Sequence, residues 1–287
     1  MNKYIIALLK CKGVSNSKIA RYIINNEFNI YKIKNNLRNI IEYDDYLKFD
    51  EYLYRAEVEI NLNHSHDIEL ITILDHKFPK KLYQGPDPVI YLYYKGNIDL
   101  INSKTVSIVS SNDVSNKSLS AATKVSSIIS TNDITIVGAL SNDLDTYVHL
   151  GAMAGSGNTI AVLSSDLEHI YPLNNSQIAQ DILKNNGCLV SEYSLGEVIN
   201  KYSYSRRNLV MSSLSDALLV IEAKETNPVM EMVKKAKKEN KLVYQLSSNL
   251  NKTIRNVINI DRYSDINSFI KKVKEEKRES NEQLTLF

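Results

Sequence analysis

The chain reads as an α/β protein: a Rossmann-like, mostly parallel sheet with flanking helices, preceded by a small all-α N-terminal domain. Three observations predict this. From Thr105 onward apolar runs alternate with helix-like stretches, and Val, Ile and Leu fill both faces of each run, as strands covered on both sides by helices require. Residues 1–65 show helical spacing of apolar positions and no strand alternation. The length, 287 residues, accommodates one large domain and a smaller one.

In the first 65 residues Tyr4, Ile5, Leu8 and Leu9 share one helical face, and Ile19, Ile23 and Ile24 the next. Gly13 to Lys18 between them is a turn with a Ser cap. Such a turn can mimic a helix-hairpin-helix, although a plain helix-helix connection is the commoner use. A boundary falls near residue 66. The stretch from Asp75-His76-Lys77-Phe78-Pro79 to Gly85-Pro86-Asp87-Pro88 holds three of the five prolines and predicts an extended linker. Val89–Tyr94 follows as a short strand. The strands of the main sheet are expected at 106–109, 134–137, 159–163, 188–190, 217–221, 242–246 and 257–260, then a charged helix over 264–279 and a polar tail. The expected division is thus a helical segment at 1–65, resembling SAM or helix-hairpin-helix units, a Rossmann-like domain at 66–262, and a helix with its tail at 263–287.

Composition is that of an ordinary globular chain, 43% apolar and 24% charged, with a net charge of +2. Lys plus Arg against Asp plus Glu number 10 and 8 in residues 1–65, 11 and 16 in 66–223, and 14 and 9 in 224–287. The middle is acidic, so any polyanion bound there needs a local basic patch. Cys11 and Cys188 make neither a disulfide framework nor a metal cluster. The apolar start, Met1–Leu9, stops at Lys10 and Lys12 without a cleavage site, and no run approaches the ~18–20 apolar residues of a membrane span. A cytoplasmic location is expected.

Ligands of an open parallel sheet sit at the carboxyl ends of its strands. The expected ends are small or polar: Ser110-Ser111-Asn112, Gly138-Ala139-Leu140-Ser141, Ser164-Ser165-Asp166 and Ala223-Lys224. A helix that precedes a strand starts at this same edge, so Arg206, Arg207 and Asn208 before Ala217 are expected to converge there. Guanidinium groups in that position suit phosphate; pairing with Glu192 or Glu222 is the alternative. The run Gly151 to Thr159 ends a helix and enters a strand, the reverse of a phosphate loop, so its glycines are expected to terminate the helix. Asp145 and His149 stand four apart on one helical face beside Asp143. A capping Asp with a His bonded to it accounts for them as pocket-shaping groups, and no nucleophile or metal set accompanies them. No enzyme activity, cofactor or metal is expected.

Taken in order, these segments resemble the DprA (Smf) family. Its linker and following run are approximated by Asp87-Pro88, Leu92-Tyr93 and Lys95-Gly96, and its Ser-Gly-Leu-Ala block by Gly138 to Asp145 with His149, Gly151 and Ala152. Thr159–Leu163, Tyr171-Pro172 with Asn175, Gly187, Ser191-Glu192-Tyr193, Gly196, Arg207-Asn208, Leu214-Ser215-Asp216 and Glu222-Ala223 also match. The resemblance implies a non-catalytic, dimeric protein that binds single-stranded DNA, protects the strand taken up in natural transformation and loads RecA recombinase onto it. Carried over, the DNA-binding positions are Ser110, Ser111, Asn112, Gly138, Asn158, Arg206, Arg207 and Asn208. Several have lost charge: Asn112 stands where the family has Arg, Asn158 where it has Lys or Arg, and Leu209 where a second Arg follows Asn208. Asn227 to Met230 and Ser247-Ser248 replace glycine-containing family segments. No C-terminal winged helix is expected. Gln283-Leu284-Thr285-Leu286-Phe287 is similar to peptides that dock in the groove of the DNA polymerase sliding clamp, with Gln283, Leu284, Leu286 and Phe287 as contacts. Two other functions compete: a nucleotide-binding enzyme similar in architecture to phosphoribohydrolases, whose phosphate loop is missing here, and a degenerate paralogue that keeps protein partners only.

Overall fold

The computed structural model describes residues 1–27, 29–111, 114–141, 143–155, 157–223, 228–246 and 254–276. Their strands are β1 (Glu69–Thr72), β2 (Tyr91–Gly96), β3 (Thr105–Ser110), β4 (Thr135–Gly138), β5 (Thr159–Val162), β6 (Cys188–Ser191), β7 (Ala217–Glu222), β8 (Leu242–Leu246) and β9 (Ile258–Ile260). They form a single sheet in the order β1-β2-β6-β5-β4-β3-β7-β8-β9. The pairs β1/β2 and β2/β6 are antiparallel, and every pair from β6 to β9 is parallel. Strand order reverses at β3, which is bonded to β4 on one side and β7 on the other. At such a reversal crossover helices leave for opposite faces and open a crevice.

Alternation along the strands builds two cores. Val106 and Ile108 of β3 with Leu219 and Ile221 of β7 face α7 (Asn116–Ser130), α8 (Asp143–Gly155) and α12 (Tyr263–Glu275). Val109, Leu218 and Val220 point the other way, toward α9 (Ser176–Lys184), α10 (Ser203–Leu214) and α11 (Pro228–Lys238). Small residues bring α7 and α8 close: Ser126 Oγ donates to Val148 O at 2.6 Å and Ser130 Oγ to Ala152 O at 2.9 Å. A Cβ at Gly151 would lie 2.3 Å from Thr123 O.

The N-terminal helices are α1 (Lys3–Leu9), α2 (Asn16–Asn25), α3 (Ile30–Asn35), α4 (Tyr43–Leu47) and α5 (Phe49–His64). Ser15 Oγ accepts from Lys18 N at the start of α2, and Gly13 at φ +66° turns the chain into it. Ile5, Leu8, Ile19 and Phe49 join the same apolar cluster as Leu92 and Tyr93 of β2. Polar contacts tie α5 to the sheet: Asn63 Nδ2 donates to Ser194 Oγ at 2.7 Å, and Tyr93 OH to Glu59 Oε1 at 2.6 Å.

Two local expectations need correction. The proline-rich connection is not extended throughout: α6 (Lys80–Tyr83) makes one helical turn, with Pro79 as its N-cap and Leu82 buried. Pro suits a helix start, and burial of Leu82 rewards the turn. The edge strand β1 was not foreseen, because four residues with only Ile71 and Thr72 buried carry little pattern. The glycine run closes α8 as expected, with Gly157 at φ +84°.

Candidate functional site

A cavity of about 520 Å³ opens at the carboxyl ends of β3 and β4. Val109 and Ser110 end β3 there, Ala139 and Ser141 follow β4, and α10 and α11 supply the far wall through Arg207, Asn208, Met211, Val229 and Met232. Asp145, Tyr171, Pro172, Tyr204 and Ser205 complete the lining. Tyr204, Arg207, Asn208 and Met211 share one face of α10 because they are spaced by three, four and seven residues.

The Arg207 guanidinium is the cation of this cavity. Its Nε and Nη2 donate to Asn208 Oδ1 at 3.2 and 2.9 Å, and its carbon lies 5.7 Å from the centroid of the Tyr204 ring. It ion-pairs with no carboxylate among the described residues. Burial pulls its pKa below the ordinary arginine value, opposed by the charge of Asp145. Arginine stays protonated under such a shift, so the group is a partly desolvated positive charge that hydrogen-bonds a neutral amide, with the Asp145 carboxylate as a nearby negative charge in the same lining. Tyr202, the N-cap of α10, gives no side-chain acceptor, and the first amide of the helix, Ser203 N, donates to Asn200 O at 3.0 Å.

Arg206 goes elsewhere, which corrects the expected convergence. Successive helical residues point about 100° apart. Arg206 Nε donates to Glu192 Oε2 at 2.5 Å and Nη2 to Glu192 Oε1 at 2.7 Å, in a separate cleft of about 350 Å³ lined also by Ser15, Asn16, Asp87 and Glu197. Burial pushes the Glu192 carboxyl above the usual carboxylate value, with the two Arg206 bonds opposing it. Asn16 Nδ2 reaches Pro88 O at 3.1 Å in the same cleft, so Arg206 braces the junction with α2. Among the described residues Glu222 takes no arginine; it accepts from Ser118 Oγ at 2.6 Å and Ser115 N at 3.3 Å, fixing the start of α7.

Other expected positions divide between the cavity and its supports. Ser110 lines the cavity, whereas Ser111 is buried and donates its N–H to Glu222 O at 2.7 Å. Asn112 lies outside the described residues, as do Lys224, Asn227, Ser247, Ser248 and the segment Gln283 to Phe287. Asn158 precedes β5 and therefore sits at the amino edge of the sheet, where its carbonyl accepts from Ile136 N at 3.0 Å. That edge is opposite the cavity, so its assignment to the same site is corrected. Ser164, Ser165 and Asp166 are buried, and Asp166 Oδ1 and Oδ2 accept backbone N–H groups of Glu168, His169 and Gly196.

The Asp145–His149 pair also differs from expectation. Asp145, in the first turn of α8, accepts from Ser141 N at 2.8 Å and Ser141 Oγ at 2.9 Å and so ties the preceding loop to the helix. Both ring nitrogens of His149 are engaged by other groups: Nδ1 meets Thr159 Oγ1 and Nε2 meets Ala139 O, each at 2.8 Å. A carbonyl only accepts, so Nε2 donates to Ala139 O, while the one hydroxyl hydrogen of Thr159 lies between Nδ1 and Ile136 O, which is 3.1 Å from Thr159 Oγ1. Complete burial pulls the ring's pKa below its ordinary value, opposed by the bond to Ala139 O and the charge of Asp145. The ring fills the space under Gly138, where a Cβ would lie 2.9 Å from Nε2. His149 thus fixes the chain segment that carries Ala139 and Ser141 into the cavity wall.

The aromatic and sulfur-bearing lining of Tyr204, Met211 and Met232 was missed. The α10 part of it was legible as the helical face of Arg207; Met232 comes from α11 through packing alone. A half-buried guanidinium beside a mostly apolar and hydroxyl-bearing wall, with one carboxylate at Asp145, suits a phosphoester that also carries a flat apolar group.

The family model described as DNA recombination-mediator protein A matches residues 69–260. DNA processing protein DprA of Streptococcus pneumoniae is 31% identical over 179 residues, covering 62% of this chain and 63% of that protein. Protein Smf of Synechocystis is 30% identical over 182 residues, covering 62% of this chain and 46% of that protein. The chain thus spans about half to just under two thirds of the length of these relatives. Among solved structures, DprA of S. pneumoniae superposes with a TM-score of 0.76 at 23% identity over 93% of this chain and 97% of the other. DprA of Helicobacter pylori, solved to describe how that protein binds single-stranded DNA, gives a TM-score of 0.64 at 23% identity over 73% of this chain and 97% of the other. At that identity the structural likeness establishes the fold.

Proposed function

Because the chain belongs to the DNA recombination-mediator protein A family, we propose that it binds single-stranded DNA in the cavity beside α10 and acts in DNA processing and recombination. The observation that carries this reading is Arg207, a partly desolvated guanidinium with no carboxylate in an ion pair among the described residues, at the carboxyl edge of a parallel sheet. A phosphate entering the cavity gains two charge-assisted bonds at little cost, since the group is already stripped of much of its water. Ser110 and Ser205 add hydroxyls, and Tyr171 and Tyr204 add rings against which an unpaired base can stack.

The wider role follows from the family rather than the cavity: protection of incoming single strands and loading of RecA in natural transformation, by a non-catalytic homodimer in the cytoplasm. Asp145 in the lining and the acidic middle of the chain disfavour nonspecific phosphate binding, so a short, weakly salt-dependent contact is assigned. The organisation into 1–65, 66–262 and 263–287 belongs to the same proposal, with the sliding clamp as partner of Gln283, Leu284, Leu286 and Phe287.

The test is a salt titration of binding to labelled oligo-dT, with a duplex of equal length as competitor. Each phosphate contact lowers log K by ~0.7 per unit of log salt on a single strand, so a slope between about −0.7 and −2 is expected, with the single strand preferred. No binding at low salt, or a preference for duplex, sinks the proposal.

A further inference from the structure

Asp145 brings a carboxylate into the same cavity lining as Arg207, Ser141 and Tyr204. The residue is only 6% exposed, and Ser141 N and Oγ both donate to its Oδ2, at 2.8 and 2.9 Å, so the group is fixed in place before any ligand arrives. A carboxylate has about four acceptor positions; the two Ser141 donors use one oxygen, and Oδ1 takes neither of them. Arg207 donates to Asn208 and lies over the Tyr204 ring rather than ion-pairing with this carboxylate. The lining thus holds a cation and an anion side by side without joining them, and each calls for its own ligand group.

A phosphate answers the guanidinium and is repelled by the carboxylate. What answers the carboxylate must be a hydrogen-bond donor, and an internal nucleotide of DNA has none on its phosphate or on its sugar, whose 3′ and 5′ oxygens are both esterified. Its donors are all on the base. We propose that Asp145 is the base-selecting residue of the site, accepting from the exocyclic amino group of cytosine, adenine or guanine while Arg207 holds the phosphate. The inference rests on the proposed binding of single-stranded DNA in this cavity. Thymine and uracil carry a carbonyl where cytosine has its amino group, and their one N–H is flanked by two carbonyl oxygens, which a carboxylate repels. A base without an amino group therefore leaves a buried carboxylate stripped of water and unpaired, the situation in which polar sites discriminate most strongly. The Tyr204 ring beside Arg207 sets the base next to its phosphate. Thymine is held by the phosphate contact and stacking alone, so oligo-dT reports binding without the selection.

The experiment measures anisotropy of labelled oligo-dC and oligo-dU of equal length at one low salt concentration, for the parent and Asp145→Asn. The two strands share backbone and ring size, so the phosphate contact cancels in the ratio of their affinities. The parent should bind oligo-dC about tenfold more tightly, the scale of one hydrogen bond to a charged group. In Asp145→Asn the Ser141 N–H still requires an acceptor and holds the amide oxygen, which turns the amide N–H donors toward the base. The ratio should then fall to about one or reverse in favour of oligo-dU, whose carbonyl accepts. The substitution keeps the shape of the side chain and its bond to Ser141 N, so the fold is retained; loss of a negative charge near Arg207 raises both affinities and leaves the ratio to report selection. A parent that binds both strands equally overturns the inference without need of the variant and leaves the functional reading standing. A parent that prefers oligo-dC, with the same ratio in Asp145→Asn, assigns the preference to another residue and overturns it as well. Binding of neither strand at low salt overturns it together with the functional reading.

Discussion

Replacing Arg206 and Arg207 one at a time should give opposite phenotypes, although the two residues are adjacent in sequence. Arg207 holds only a neutral amide and the face of a ring, so Arg207→Ala breaks no ion pair and relieves the cost of a half-buried charge. Its unfolding free energy should stay within about 1 kcal/mol of the parent. Binding of oligo-dT should fall about 10- to 100-fold, the equivalent of a charged hydrogen-bonding contact of ~1.5–3 kcal/mol. Arg206→Ala instead leaves Glu192, with its side chain 5% exposed, without its bidentate partner. Breaking a fully buried pair costs about 3–5 kcal/mol; access of water to Arg206 and protonation of Glu192 reduce this to about 2–4. Its binding should fall less than threefold once unfolded protein is discounted. Urea unfolding and fluorescence anisotropy on the same preparations measure both quantities. If Arg206→Ala loses binding while keeping full stability, or Arg207→Ala binds as the parent does, the assignment of the two arginines is wrong.

Further expectations concern the supports of the cavity and the tail. His149 is fully buried with its pKa lowered, so below its ordinary value of 6.5 the unfolded chain takes up a proton that the folded chain refuses; this part of the stability is complete above pH 6.5 and is lost as pH falls toward the folded pKa. His149→Ala should lose about 2–4 kcal/mol at pH 8 and show a shallower decline between pH 7 and 5 in urea titrations, and a decline as steep as the parent's would exclude His149 as its source. Gly151→Ala places a methyl 2.3 Å from the Thr123 carbonyl and should cost about 2 kcal/mol or more by separating α7 from α8; calorimetry showing parental stability would mean that the helices part freely. Truncation after Ser280 should abolish a micromolar-class contact with the purified sliding clamp, and equal binding by both forms would remove the clamp as a partner of Gln283 to Phe287.

The sequence by itself determined the parallel strands of the sheet, though not its edge strand β1. Runs such as Val106 to Val109 and Ala217 to Ile221 are apolar at successive positions, and a strand buried on both faces leaves no other option, so their places could be read from residue type alone. It also determined that the start of α10 lies at the ligand edge, because a helix entering a parallel strand must begin there. Tertiary structure decided what each polar residue meets. Arg206 and Arg207 look equivalent in a string of letters, but a 100° turn of helix gives one the buried Glu192 and the other a cavity without a carboxylate partner in an ion pair. Asn158 and Ser110 both flank strands; chain direction puts one at the amino edge and the other in the cavity. His149 has Asp145 one turn away, yet Thr159 and Ala139, brought in from β5 and from the end of β4, take both ring nitrogens. Local pattern fixes secondary structure because burial averages over many residues, whereas a hydrogen bond depends on ångström placement of two groups that only the packed sheet brings together.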